Sequence, residues 1–311
     1  MKILVLGAGG IGGYFGGRLA QGGADVTFLV RPARAAQIAA NGLVIESPNG
    51  PATIAAKTVI AGQPLPGFDL VLLTCKAYDL DSAMDAIAPA VQAGASIVPL
   101  LNGVSHLARL DARFGKARVL GGTCQINVTL TPDGTVKHME PLNRLIFGER
   151  EASQKATADA FADALKTSGI NWSHSDAIEQ DLWEKLMFLS ALAATTCLFR
   201  ANIGEILSAP GGREAIERAL AANIAIVTKS GFAPRPKAIE FATTRLTTPG
   251  PASSSMLRDL EQGKPVEAAH IVGFMLDKAR EHGVDDTVLS LAWTHLKSYE
   301  ARRAANRLPA R

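Results

Sequence analysis

The sequence predicts an α/β N-terminal domain with a parallel sheet, followed by an all-α C-terminal domain. Three observations predict it. Short, continuously apolar runs alternate with helically spaced segments through the first half. A glycine-dense turn joins the first run to the first helix. From Ala177 onward only helical spacing remains. At 311 residues the chain is long enough for two domains, each with its own core.

Composition narrows the function classes. Hydrophobic residues make up 47% and charged residues 20%, the balance of a soluble globular protein. A net charge of +3 without a strong basic run leaves no footprint for nucleic acid. The three cysteines, Cys75, Cys124 and Cys197, are far apart and form no CxxC pair. They read as reduced thiols of a cytoplasmic protein, with neither a disulfide framework nor a metal site, and Cys124 as a buried core residue. The opening apolar run stops at Gly7, too short for a signal peptide. The apolar stretch 186–199 falls short of the roughly 20 residues of a membrane span and reads as a buried helix.

Residues 2–6 (KILVL) are too short for a helix and end in glycine, as a buried parallel strand does. Helical spacing follows over 10–22, with Ile11, Phe15 and Leu19, and 25–30 (DVTFLV) is a second strand. GAGGIG, residues 7–12 (Gly7, Ala8, Gly9, Gly10, Ile11 and Gly12), therefore stands between strand and helix of one βαβ unit. In that setting Gly7 permits a tight turn, Gly9 lets the main chain approach a pyrophosphate, and Gly12 lets the helix pack on the strands. The domain is thus Rossmann-like and dinucleotide-binding, the alternative being a glycine-rich turn between packed elements. An acid usually ends the second strand to hold ribose hydroxyls. Here Val30 is followed by Arg31, with Arg34 a turn later. A guanidinium suits a 2′-phosphate, so NADP is preferred to NAD, unless both arginines are solvated loop charges.

Residues 43–60 read as a hairpin around Ser47-Pro48-Asn49-Gly50. The runs 69–75 and 95–101 are further buried strands, followed by Lys76 and by Asn102. In a doubly wound sheet ligands lie beyond the carboxyl ends of strands, so both face the cofactor. A longer hairpin is expected over 118–131 and 135–147, around Pro132-Asp133-Gly134, then a helix over 152–167 and a last short strand, INWSHS. Domains of 1–174 and 175–311 follow. The second holds helices over about 177–200, 211–231, 236–247, 267–282 and 287–304, broken by glycine and proline. The active site belongs in the cleft between the two.

Lys185 opens the most apolar helix of the chain. Beside buried surface its pKa would fall toward neutrality, which suits proton transfer. Asp181, four residues earlier, makes a surface ion pair the plainer reading. SSSMLRDLEQGKPVE (253–267) likewise reads first as helix caps, Ser253 or Ser254 for one helix and Glu267 for the next.

Taken together, GAGGIG, CKAY (75–78), LNG (101–103), DLWEKL (181–186) and the Ser255-to-Glu267 spacing make the whole chain resemble the ketopantoate reductases, the 2-dehydropantoate 2-reductase family. The resemblance implies NADPH held by Gly7 to Gly12 and Arg31, with Lys76, Asn102, Asn127 and Glu267 near the cofactor. It makes Lys185 the general acid and Ser255 the partner of the substrate carboxylate, with Asn102 also reaching the substrate. The implied reaction delivers a hydride to the ketone carbon of a 2-oxo acid, ketopantoate first, as in pantothenate biosynthesis, while Lys185 protonates the oxygen. The family carries asparagines where this chain has Leu189, Ala193 and Ile203, with Asn202 beside the last as a candidate replacement. A more apolar 2-oxo acid, a dehydrogenase of the same layout, and an NADP-binding sensor without turnover are the competing readings. A homodimer through the helical half is the expected assembly.

Overall fold

The structure, a computed structural model, describes residues 1–65 and 67–308. Contacts group the chain into an α/β unit, Met1–Leu101 with His106–Glu179, and a helical unit, Asn102–Ser105 with the chain from Gln180 onward. The division falls in the first turn of a long helix, a few residues beyond the 174/175 boundary read from the sequence.

In the α/β unit five parallel strands form one sheet. They are β1 (Lys2–Leu6), β2 (Asp25–Val30), β5 (Lys57–Ile60), β6 (Leu70–Leu73) and β7 (Ser96–Pro99), in the order β5-β2-β1-β6-β7. Ile3, Leu4, Val5, Leu70, Val71, Leu72 and Leu73 are fully buried, because strands covered on both faces must be apolar at consecutive positions. The helix α1 (Gly10–Gln21) joins β1 to β2 and α3 (Leu80–Gln92) joins β6 to β7, while α2 (Pro32–Asn41) follows β2 and α4 (Ser105–Phe114) follows β7.

A second sheet stands beside the first: β3 (Leu43–Glu46), β4 (Ala52–Ile54), β8 (Gly121–Leu130), β9 (Val136–Gly148) and β10 (Asn171–His174), with α5 (Lys155–Leu165) before β10. The β8–β9 hairpin turns where expected, at a Gly134 with φ of +92°. The hairpin expected over 43–60 holds only for β3 and β4. The rest of it, β5, leaves to pair in parallel with β2, where Lys57 Nζ donates to Asp25 at 2.7 Å across the two strands.

The glycines of α1 follow from its place between these sheets. A Cβ on Gly16 would come within 2.7 Å of Phe28 in the first sheet, and one on Gly17 within 2.7 Å of Ile45 in the second. Bare backbone on both faces lets one helix serve two sheets, at a backbone-entropy cost of about 1 kcal/mol per glycine.

The helical unit comprises α6 (Ile178–Phe199), α7 (Ile203–Ser208), α8 (Gly212–Lys229), α9 (Pro236–Thr247), α10 (Ser255–Glu261), α11 (Phe274–Glu281) and α12 (Thr287–Ala304). No strand follows His174 among the described residues. The helix expected over 267–282 is interrupted by a π-turn, Ala269–Gly273, before α11. At 22 residues α6 is long and apolar enough to cross a membrane by length and composition, which the stretch 186–199 alone was not, yet 67% of its most apolar window is buried within the protein. Cys197, on α6, is fully buried, and burial pushes its thiol up to about 12, so it carries no thiolate near neutral pH.

Candidate active site

The glycine turn leaves β1 at Gly7, whose φ of +91° excludes most side chains and whose N–H donates to the Leu29 carbonyl of β2 at 2.9 Å. A Cβ on Gly12 would collide with the Gly7 carbonyl and the Thr74 hydroxyl, and Thr74 Oγ1 itself donates to the Leu6 carbonyl at 2.7 Å. Gly12 is therefore demanded by the fold. Gly9 is not: a Cβ there would meet nothing within 4 Å, and its φ of −81° is ordinary. The fold itself therefore does not require a bare backbone at Gly9. Gly9 caps α1 without a side-chain hydrogen bond, and the first turn holds no acid. Its N–H groups and partial positive charge are thus available to a phosphate.

Gly7 and Arg31 directly follow β1 and β2, and Lys76 comes three residues after the end of β6. The Arg31 side chain is 83% exposed, 3.7 Å from Asp79. That pair, both partners in water, holds Arg31 weakly. Arg34 has a different task. Its Nε donates to the Ala8 carbonyl at 2.9 Å and its Nη1 to the Gly134 carbonyl at 2.8 Å, tying the glycine turn to the β8–β9 hairpin. Burial lowers its pKa without discharging it at neutral pH. Lys76 is half-buried at the start of a short 3₁₀ turn. Asn127 lies where the β8–β9 register shifts; its Nδ2 donates to Glu140 at 2.8 Å, while its buried Oδ1 has no protein partner. The next residue, Val128, comes within 3.3 Å of a Cβ placed on Gly10. An orphaned acceptor beside the α1 N-terminus and open space at Gly9 fit a bound dinucleotide.

In the helical unit stand Asn102, Lys185, Ser255 and Glu267. Asn102 and Lys185 are half-buried, Ser255 is exposed and Glu267 is buried. The turn of α6 just before Lys185 is anchored by two sets of contacts. Trp183 stacks on Phe232 with centroids 5.0 Å apart and planes at 15°. Glu184 accepts from Arg235 Nε at 2.8 Å and from its backbone N–H at 2.8 Å, and Arg235 also pairs with Asp181. Burial pushes the Glu184 carboxyl up, but its bonds to Arg235 and Gln180 outweigh this and hold it below the usual range. Removing Arg235 as Arg235→Ala should cost about 1–3 kcal/mol of stability at pH 7, because a buried carboxylate loses its donors. Since the native pKa is depressed, that difference is full above the ordinary glutamate value near about 4.3 and vanishes as the pH falls through the lower native value. Urea unfolding of both proteins across that range measures it.

Ser254 is the cap of α10, accepting from Leu257 N at 3.0 Å, and it meets Thr196 Oγ1 of α6 at 2.9 Å. It fixes Ser255, the next residue, to the helix that carries Lys185. Ser254→Ala should destabilise by about 0.5–2 kcal/mol in chemical denaturation. Of the three positions where the resemblance leads one to expect asparagine, Ala193 and Ile203 are buried and Leu189 is half-buried. Asn202 forms a capping box with Glu205, its Oδ1 accepting from Glu205 N at 3.0 Å. Arg235 and Thr74 escaped sequence reading, since each acts through a carbonyl or carboxylate distant in the chain, and Arg34, noted beside Arg31, has carbonyl partners that no local pattern showed.

Fold and site define a Rossmann-like α/β unit joined to a helical unit bearing a lysine, a serine and a glutamate. Two family profiles match: ketopantoate reductase PanE/ApbA over residues 3–152 and its C-terminal counterpart over 177–300. The chain belongs to the ketopantoate reductase family and is an oxidoreductase. It is 36% identical over 305 residues to the uncharacterized oxidoreductase YkpB of Bacillus subtilis, covering 97% of this chain and all of that one. It is 26% identical over 287 residues to the 2-dehydropantoate 2-reductase of Halobacterium salinarum, covering 91% and 94%. The crystal structure of 2-dehydropantoate 2-reductase from Geobacter metallireducens GS-15 is similar at a TM-score of 0.85 and 27% identity, over 96% and 99% of the two chains.

Proposed function

We propose that this oxidoreductase uses NADPH to reduce a 2-oxo acid to a 2-hydroxy acid, with ketopantoate as the leading substrate. The observation that carries the reading is that Asn102 groups with Lys185, Ser255 and Glu267 in one unit, although it lies far from them in sequence. Gly7 to Gly12 would hold the pyrophosphate, Arg31 the 2′-phosphate, and Lys76 and Asn127 the remainder of the nucleotide. NADPH, when bound, supplies the hydride. Lys185 stabilises the negative charge that develops on the ketone oxygen and donates its proton there, work typically worth about 10²–10⁴-fold. Glu267 holds the ammonium in place, and Ser255 and Asn102 orient the substrate by its carboxylate. Family membership supports this assignment of roles.

Leu189, Ala193 and Ile203 favour a second reading, a more apolar 2-oxo acid. A hydroxyl buried without a partner costs about 1–3 kcal/mol, so ketopantoate loses the advantage that amides would give it. Assembly as a homodimer through the helical unit belongs to the same proposal. The test follows NADPH absorbance with ketopantoate and a series of apolar 2-oxo acids. Turnover of ketopantoate supports the first reading and turnover of apolar acids alone the second. Nucleotide binding without turnover of any acid would leave a sensor and refute both.

A further inference from the structure

We infer that His270 is a positioning residue for this reduction: its ring clamps the Asn102–Ser105 segment onto the turn that follows Glu267. The inference rests on the reductase reading above. Ser105 Oγ lies 2.7 Å from His270 Nδ1. Gly103 has a φ of +85°, and a Cβ on it would come within 3.0 Å of the ring Cδ2 and 3.2 Å of both Nε2 and the His270 carbonyl oxygen. One histidine therefore engages the segment twice, once through a hydroxyl and once against bare backbone. Asn102 adjoins the glycine of this clamp, and all these residues belong to the helical unit.

His270 stands in the π-turn Ala269–Gly273. Such a turn fits one more residue than an α-helix allows, is rare, and is frequent at functional sites. Glu267, buried, immediately precedes this helical segment, and its carbonyl accepts from Ile271 N at 3.2 Å. On the other side of the turn a Cβ on Gly273 would come within 2.7 Å of Trp293. The turn is thus packed at both ends, with Glu267 at its start and the histidine ring against Gly103. A hydroxyl bond and a ring-on-glycine contact fix orientation, which is what Asn102 and Glu267 require if both serve the same reacting centre.

The test compares His270→Ala, His270→Asn, Ser105→Ala and the double alanine variant. The substrate is whichever 2-oxo acid the wild type turns over fastest with NADPH, and NADPH affinity and urea unfolding are measured alongside. Asparagine can place a polar atom where Nδ1 stands and alanine cannot. His270→Ala and Ser105→Ala should each lower kcat/KM by between about ten- and a hundredfold, as a misplacement of about 1 Å does. NADPH affinity should stay within about twofold, His270→Asn should recover most of the loss, and the double variant should be no worse than His270→Ala alone. A merely structural role would lower stability and NADPH affinity together and would not separate asparagine from alanine. Ser105→Ala removes a single oxygen and keeps the test open if His270→Ala does not fold. With an active wild type, strictly additive losses or an undiminished Ser105→Ala overturn this inference alone. A wild type that reduces no 2-oxo acid overturns the reductase reading and this inference with it.

Discussion

Lys185→Ala is expected to lower kcat for 2-oxo acid reduction by about 10²–10⁴-fold while leaving NADPH affinity within about twofold. The size follows from the role proposed for the ammonium: as the hydride arrives, the ketone oxygen would become an alkoxide, and a donor already in position would meet that charge without reorganisation. The selectivity follows from where the residues stand. Lys185 belongs to the helical unit, whereas the glycine turn and Arg31 belong to the α/β unit. Helix α6 should survive the change, since Leu182, Leu186 and Met187 remain buried and Glu184 keeps Arg235. Stopped-flow reduction at saturating NADPH, with fluorescence titration of the nucleotide, reads both quantities. Undiminished turnover would remove Lys185 from the chemistry.

The two glycines at the start of α1 should behave oppositely. Gly12→Ala should cost about 1–3 kcal/mol of stability, the range for overpacking, because its Cβ meets the Gly7 carbonyl and the Thr74 hydroxyl, neither of which can retreat without breaking the turn. Nucleotide binding should be lost with it. Gly9→Ala should move stability by less than about 0.5 kcal/mol, as a substitution into open space does. Its methyl group stands where a pyrophosphate would approach, so NADPH affinity should drop by about tenfold or more, equivalent to at least about 1.4 kcal/mol. Thermal unfolding and calorimetric titration of the two variants separate a glycine required by the chain from one required by a ligand. Equal NADPH affinity in Gly9→Ala and wild type would contradict the assignment of this turn.

Much of this was legible in the sequence because burial on both faces leaves a plain record. β1 and β2 match the runs 2–6 and 25–30 residue for residue. The β8–β9 turn was visible in Pro132-Asp133-Gly134. Helix α2 was not, since only Ile38 of its ten residues is buried and alanines carry no period. The second sheet was hidden because β3 pairs with β9 across a long sequence separation, and no local pattern encodes such a partner. The π-turn leaves no compositional trace, since one extra residue in a helix changes spacing without changing residue type. Arg34 read as a companion of Arg31 for phosphate, and the structure instead gives it carbonyl partners at Ala8 and Gly134. Ser254 was legible as a cap, but its bond to Thr196 was not.

The central claim is that a nicotinamide dinucleotide lies along the Gly7-to-Gly12 turn with its 2′-phosphate on Arg31. Calorimetric titration of wild type and Arg31→Ala with NADPH and NADH tests it most directly. A charge-assisted contact worth about 1.5–3 kcal/mol predicts that wild type binds NADPH at least about tenfold more tightly than NADH. It also predicts that the variant loses that margin with little change for NADH. Equal affinity for the two nucleotides in wild type, or a margin that survives the loss of the guanidinium, would contradict it.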